Sequence, residues 1–167
     1  MRRVIHIEPM LCTGCMACML ACSINKTGIA NPVYSRIRVN KNEEEGINFP
    51  TLCKHCEPAP CMDSCPTGAM KREIRTYAVL IDPNLCISCR ECITACPFGA
   101  IQVSEEEGVF KCDLCNGEPL CVKFCRERPE NSSAYMANPK ASALQFVELK
   151  DVNRTKRLWQ MTKLRLG

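Results

Sequence analysis

Sixteen of the 167 residues are cysteine, and they fall into four runs of four with none left over. Run one is Cys12, Cys15, Cys18 and Cys22; run two is Cys53, Cys56, Cys61 and Cys65; run three is Cys86, Cys89, Cys92 and Cys96; run four is Cys112, Cys115, Cys121 and Cys125. A cysteine content this high is typical of disulfide scaffolds or metal proteins. Aromatic residues make up only 5% of the chain, so something other than aromatic side chains must fill its interior.

The spacing within the runs indicates which chemistry these thiols serve. Runs one and three read C-x2-C-x2-C-x3-C, and runs two and four widen only the middle interval. This spacing is the ligand pattern of bacterial proteins that hold two iron–sulfur clusters. Three closely spaced thiolates reach one cubane from a single loop, whereas the fourth points away and caps a neighbouring cluster. The four runs therefore predict four [4Fe–4S] clusters.

Three other interpretations of the cysteines stay open on the sequence alone. Disulfides need an oxidising compartment, and no secretory signal is visible because the short apolar segment 4–7 is followed by Glu8. Structural zinc sites use distant C-x2-C pairs rather than triplets with a trailing fourth cysteine. Fewer clusters would leave thiols unmatched. We expect a cytoplasmic protein, and no apolar stretch is long enough to span a membrane.

Repeated segments predict how the runs are positioned. The stretch 65–69 (CPTGA) matches 96–100 (CPFGA), so runs two and three read as one compact unit. We expect an α+β fold of two nested bacterial ferredoxin-like units, with short antiparallel strands and short helices around four [4Fe–4S] clusters, plus a C-terminal extension. Strands are predicted at 4–7, 34–39, 76–81, 101–103, 109–111 and 143–149, with turns at 43–46 and 104–108.

The nesting predicts four parts of the chain. Residues 1–22 and 100–125 form the outer unit, 51–99 the inner unit, and 23–50 an insertion. Residues 126–167 contain no cysteine and form a C-terminal extension, with a basic helix over 151–167. This helix either packs on its own domain, docks on a partner subunit or binds a membrane surface.

The four runs, in this order, resemble the four-cluster ferredoxin-like electron-transfer subunits of multisubunit oxidoreductases. These accompany tungstopterin and molybdopterin oxidoreductases, carbon monoxide dehydrogenases, formate hydrogenlyases and hydrogenases. The resemblance covers residues 4–125. It departs from simple ferredoxins after Cys22 and Cys125, where Ser23 and Arg126 replace the usual proline.

The resemblance implies a ligand set for each cluster, and we call these sets quartets I to IV. Quartet I is Cys12, Cys15, Cys18 and Cys125; quartet II is Cys22, Cys112, Cys115 and Cys121; quartet III is Cys53, Cys56, Cys61 and Cys96; quartet IV is Cys65, Cys86, Cys89 and Cys92. The pairing of quartets III and IV also follows the ordinary two-cluster rule.

Several other residues lie in or beside the cysteine loops. We expect the apolar ones to exclude water from the clusters: Met16, Met19, Leu20, Ile87, Ile93 and Phe98. Lys54, Arg90 and Lys111 read as solvated surface charges, with tuning of cluster potential as the alternative. His55 reads as an inert loop residue, with the same alternative.

The sequence predicts an electron-transfer subunit rather than an enzyme. It has no dinucleotide fingerprint, no phosphate loop and no catalytic residues. Substrate chemistry would belong to a catalytic oxidoreductase subunit: we favour a tungsten or molybdenum aldehyde-type enzyme over a carbon monoxide dehydrogenase, hydrogenase or formate dehydrogenase. A second redox partner completes the relay. The alternatives are a free-standing soluble polyferredoxin and a zinc-dependent structural or nucleic-acid-binding module.

Charge argues against nucleic acid as a partner. The formal net charge is +4, but four oxidised clusters of about −2 each would bring it to about −4. The remaining positive charge is concentrated in the extension, where 9 basic residues face 4 acidic ones. An acidic body with a basic arm favours a protein partner.

Overall fold

The computed structural model of the chain describes residues 2–126 and 142–152. The described strands are β1 (Arg3–Ile7), β2 (Ile37–Asn42), β3 (Ile47–Leu52), β4 (Met70–Arg72), β5 (Val79–Ile81), β6 (Ile101–Ser104), β7 (Gly108–Lys111) and β8 (Leu144–Glu148). The α-helices are α1 (Ala17–Thr27), α2 (Pro60–Asp63), α3 (Glu91–Thr94) and α4 (Leu120–Arg126). The strands form two-stranded antiparallel sheets, which pair β1 with β8, β2 with β3, β4 with β5 and β6 with β7. The expected mixture of short helices and short antiparallel strands is confirmed.

Most of the predicted strands are present, and two begin later than predicted. The predictions at 4–7, 101–103, 109–111 and 143–149 are confirmed by β1, β6, β7 and β8. The strand predicted from residue 34 begins only at Ile37, because Asn31 caps a 3-10 turn over Pro32–Tyr34. The strand predicted from residue 76 begins at Val79, because the Glu73 carboxylate accepts hydrogen bonds from Thr76 and holds a turn there.

The helices differ in length according to whether proline comes directly after the last cysteine of the run. Proline is next to Cys65 and Cys96, and α2 and α3 have only 4 residues each. Proline disfavours helical backbone in the residue before it, and proline itself lacks the N–H that a helix uses. Cys22 has no proline after it, and α1 continues for 11 residues to Thr27.

Packing joins the elements into two apolar cores. The larger core contains Ile5, Ile37, Leu52, Leu114 and Leu144, with cysteines of runs one and four, and here α1 packs against α4. The smaller core contains Ala59, Met70, Val79, Ile101 and Val109, and here α2 packs against α3. The β2–β3 hairpin crosses the predicted boundary between insertion and inner unit, since β3 ends at Leu52.

Two further predictions concern the end of the chain and the membrane. The basic helix predicted over 151–167 lies, beyond Val152, outside the described residues. In the part of the chain that the structure describes, no helix combines the length and the apolar character needed to cross a membrane.

Candidate iron–sulfur sites

Each run begins with a loop that bends in the same way. The residue before the second cysteine has left-handed backbone in every run, with φ of 70° at Gly14, 48° at His55, 55° at Ser88 and 58° at Leu114. Such backbone disfavours residues other than glycine, and it persists where the surrounding structure holds it in place. Left-handed turns let successive amide N–H groups face a common centre, as anion-binding loops do. The loops are therefore shaped to enclose a negatively charged group.

Quartet I lines a cavity between run one and the end of run four. Its four cysteines share the cavity wall with apolar side chains that include Met16, Val39 and Leu144. Burial raises the pKa of the Cys18 thiol to about 12, and the neighbouring thiols of Cys125, Cys15 and Cys12 contribute to the rise. Cys125, more than a hundred residues away in sequence, thus lies with run one.

Quartet IV lines a second cavity, beside β5 and β7. Its walls are the four cysteines with Met70, Ile81 and Val109 among the apolar residues. Burial raises the pKa of Cys92 to about 11, and Cys61, Cys86 and Cys89 contribute to the rise. Cys65, the last cysteine of run two, therefore lies with the first three of run three.

The other two quartets are also brought together. Burial raises the pKa of Cys121 well above its usual value, as do the nearby thiols of Cys112, Cys22, Cys115 and Cys18. For quartet III, burial raises the pKa of Cys56, and so do the thiols of Cys53 and Cys96. Burial also raises the pKa of Cys61, and the same two thiols reinforce it.

Thiols of neighbouring quartets lie close enough to affect one another. Cys18 of quartet I is among the thiols that raise the pKa of Cys121 in quartet II. Burial raises the pKa of Cys112 in quartet II to about 12, and Cys53 of quartet III adds to this rise. Cys61 of quartet III acts in the same way on the pKa of Cys92 in quartet IV. These effects link each quartet to the next in the order I, II, III, IV.

Backbone amides donate to sulfur in the two central quartets. The N–H groups of Arg36 and Leu114 donate to Cys22 and Cys112, at N–S distances of 3.3 and 3.5 Å. The N–H groups of His55 and Ala100 donate to Cys53 and Cys96, at 3.4 and 3.5 Å. Hydrogen bonds to sulfur stabilise added negative charge on a cluster.

The expectation of solvated charges beside the cysteines is wrong for one residue. Arg90 is exposed and Lys54 is half-buried, but Lys111 is only 6% exposed. His55 is also buried, and its Nδ1 accepts a hydrogen bond of 2.9 Å from the Val79 amide. Its Nε2 is buried with no hydrogen-bond partner among the described residues.

The predicted water-excluding side chains do not all lie inside. Met19 is 5% exposed and packs in the larger core, as expected. Leu20, Ile87 and Phe98 are 39%, 65% and 45% exposed, which contradicts the expectation. Ile87 still lines the quartet IV cavity with part of its surface, although most of the side chain is exposed.

The donor set fits iron–sulfur clusters. Each quartet presents thiols alone, which are the ligands that hold these clusters, and two quartets line cavities with apolar walls. Within residues 2–126 and 142–152, no three His, Cys, Asp or Glu side chains are placed to hold a single metal ion.

Known protein families match the same segments. Residues 44–134 match the 4Fe-4S dicluster domain, and residues 9–28 match a 4Fe-4S binding domain. The first match covers more than half of the chain and contains runs two, three and four. The second contains run one.

Curated relatives share most of this region. A polyferredoxin-like subunit of aliphatic sulfonate oxidoreductase from Pyrococcus furiosus is 41% identical over 74% of this chain and 71% of its own length. An uncharacterized ferredoxin of Methanocaldococcus jannaschii is 40% identical over 70% of this chain and 64% of its own. Protein NrfC of Escherichia coli is 36% identical over 73% of this chain and 60% of its own. The chain thus spans less than two thirds of the last two relatives, and it belongs to the family of 4Fe-4S dicluster proteins that includes polyferredoxin-like oxidoreductase subunits.

Proposed function

We propose that this chain is a non-catalytic subunit that relays single electrons through four [4Fe–4S] clusters between a catalytic oxidoreductase subunit and a second redox partner. Quartets I to IV hold one cluster each, with all sixteen cysteines as iron ligands. The observation that carries the proposal is that neighbouring quartets lie close together. Cys18, Cys112 and Cys121 share the larger core, with Cys53 packed against it, and Cys61 packs against the smaller core, which contains Cys92.

The residues of the chain set up the conditions for transfer. A [4Fe–4S] cluster held by four thiolates takes up and releases one electron at a time. The left-handed loops hold the ligands, and Leu114, Val79 and Leu144, each 2% exposed or less, keep water from the interior. The amide N–H groups of His55, Leu114 and Ala100 stabilise the negative charge that each electron adds.

The ends of the row supply the surfaces for two partners. Cys15 of quartet I and Cys89 of quartet IV are exposed, which brings each terminal site to the surface. Beside quartet IV, Ile87 exposes apolar surface that a protein partner would bury. We assign the catalytic subunit and the second redox partner to these two ends.

The nested domain plan is part of the proposal. Packing of α1 on α4 and of α2 on α3 supports an outer unit of 1–22 with 100–125 around an inner unit of 51–99. In the C-terminal extension, β8 pairs with β1, and this pairing attaches residues 144–148 to the outer unit. We assign the complex to the cytoplasm, where thiols stay reduced.

Coulometric reduction of the anaerobically purified protein tests the relay. The wild type should take up about four electrons per chain, one for each cluster. A double variant, Cys86→Ala with Cys89→Ala, should take up about three, because quartet IV loses two ligands. Ser88→Ala in the same loop is the control and should keep the wild-type value. Uptake of two electrons or fewer by the wild type contradicts the proposal.

Purification of the native complex tests the partner. The favoured partner is a tungsten or molybdenum aldehyde-type oxidoreductase, and metal analysis of the copurifying large subunit identifies it. A nickel-containing subunit would instead indicate a carbon monoxide dehydrogenase or hydrogenase. A chain that is monomeric in the native extract would favour the free-standing carrier.

A further inference from the structure

Lys111 is a buried cation in the middle of the fold. It ends β7, immediately before Cys112 of quartet II, and it is 6% exposed. Its Nζ donates hydrogen bonds to the carbonyl oxygens of Val79 and Cys112, the latter at 3.1 Å. Both bonds go to neutral acceptors.

Two other cations in this region that are shielded from water have carboxylate partners. Lys26 pairs with Asp113 at an N–O distance of 2.7 Å, and Arg36 pairs with Glu107. No ion pair to a carboxylate joins Lys111 in residues 2–126 or 142–152. A buried charge is costly unless an opposite charge balances it. No described carboxylate therefore balances the charge of Lys111 by direct contact.

The position of Lys111 indicates the source of that charge. Its partner Val79 donates its own N–H to His55 in the run-two loop, so one residue contacts both the lysine and quartet III's loop. Burial raises the pKa of Cys61 in quartet III, and the charge of Lys111 opposes the rise. Its charge acts in the same sense on the pKa of Cys112 in quartet II. The ammonium therefore lies within electrostatic range of both central quartets.

We propose that Lys111 is the buried counter-cation of the two central clusters and raises their reduction potentials. The inference rests on the proposed function, because it requires clusters in quartets II and III. A fixed positive charge favours the more negative reduced form of a nearby cluster, and little water is present to screen it. With Lys111 present, the clusters of quartets II and III accept electrons more readily than their cysteines and backbone amides alone would allow.

Redox titrations of the whole protein, followed by electron paramagnetic resonance, test this role. In Lys111→Met, the reduction equilibria of two of the four clusters should shift at least about tenfold toward the oxidised form, which is about 59 mV for a one-electron couple. Lys111→Gln keeps a hydrogen-bond donor without the charge and should show the same shift. Lys111→Arg keeps the charge and should restore both midpoints toward the wild-type values.

The control is Lys123→Met, which removes a lysine that lies in run four but is exposed to solvent. Its midpoints should move much less, because water screens an exposed charge. Midpoints in Lys111→Met and Lys111→Gln that move no more than those in the control would overturn the inference.

Assembly gives a second readout. If both neutral variants lose iron while Lys111→Arg retains it, the charge is needed to hold the central clusters, as the inference requires. If Lys111→Arg loses iron as well, shape rather than charge is responsible and the inference fails. Absence of clusters from the wild type would instead overturn the proposed function itself.

Discussion

The outer and inner pairs of runs use the same ligand spacing but are supported differently. In the outer pair, α1 has 11 residues and α4 has 7, and the two helices pack on each other within the larger core. In the inner pair, α2 and α3 have 4 residues each and pack within the smaller core. Proline after the last cysteine distinguishes the inner runs from the outer ones. The loops thus set the geometry of the cysteine ligands. The length of the helix after each loop determines how stable that region is without iron.

Removal of iron should have the largest effect and should separate the two regions. Helices of four residues do not persist without tertiary support, and metal binding to such small sites is coupled to folding. After anaerobic chelation, amides in 60–104 should exchange with solvent within seconds, while α1 and the β1–β8 sheet keep measurable protection. Hydrogen exchange followed by mass spectrometry measures the exchange rates of the amides in both regions. Equal loss of protection in the two regions would contradict the comparison.

A proline placed after Cys22 tests why α1 is long. Ser23→Pro should lower the free energy of unfolding by about 3 kcal/mol or more, because proline in a helix interior removes a hydrogen bond and clashes with the preceding turn. Pro97→Ala, the reverse change in the inner pair, should cost less than about 1 kcal/mol. Chemical denaturation of the anaerobic holoprotein measures both.

Ser23→Ala is the matched control for that pair, since Ser23 is fully buried and its hydroxyl donates to the Leu20 carbonyl at 3.0 Å. It should lose only about 1 kcal/mol, the value of one hydrogen bond. A Ser23→Pro variant as stable as this control would mean that helix length is not what the missing proline controls.

The shared loop position provides a smaller test. Gly14 has φ of 70°, and a Cβ there would lie 2.6 Å from Oδ1 of Asn48. Gly14→Ala should destabilise the holoprotein by about 1–2 kcal/mol, the cost of left-handed backbone in a residue with a side chain. At the equivalent inner position, Ser88→Gly should stabilise by up to about 1 kcal/mol for the same reason. Thermal unfolding measures both, and shifts of the same sign would contradict a common loop conformation.

The smallest expected effect concerns an ion pair that joins α1 to run four. Lys26 on α1 bonds to Asp113 in run four, and the pair is partly shielded from water, with side-chain exposures of 17% and 40%. Lys26→Met should cost up to about 1 kcal/mol. Lys71→Met breaks a more exposed pair with Asp82 in the inner unit. Its loss of unfolding free energy should be smaller than that of Lys26→Met, and salt should reduce that loss further. Urea unfolding at low and high salt compares the two variants. A larger loss of unfolding free energy in Lys71→Met would contradict the conclusion that the Lys26–Asp113 pair is the better shielded of the two.

Local sequence patterns predict much of this molecule. The cysteine spacing predicts thiols gathered in quartets, and alternation of β-forming residues predicts the β6–β7 hairpin and β8. Those features depend on neighbours a few residues apart. The pairing of β1 with β8 joins Arg3 to Glu148, and no local pattern specifies a partner so distant.

Burial is the property that the sequence predicts least well. Lysine is rarely buried, which favours solvent for Lys111, yet β7 crosses the interior with Val109, Phe110 and Lys111 all buried. Apolar character favours the interior for Ile87 and Phe98, yet both side chains are exposed. In both cases the position of the loop or strand relative to its neighbours outweighs the preference of the residue.

Native mass spectrometry of the anaerobically purified chain tests directly whether it holds four clusters. We expect one dominant species whose mass exceeds that of the chain by four [4Fe–4S] cores, one for each quartet. A dominant species with only two cores, or with zinc and no sulfide, would contradict it.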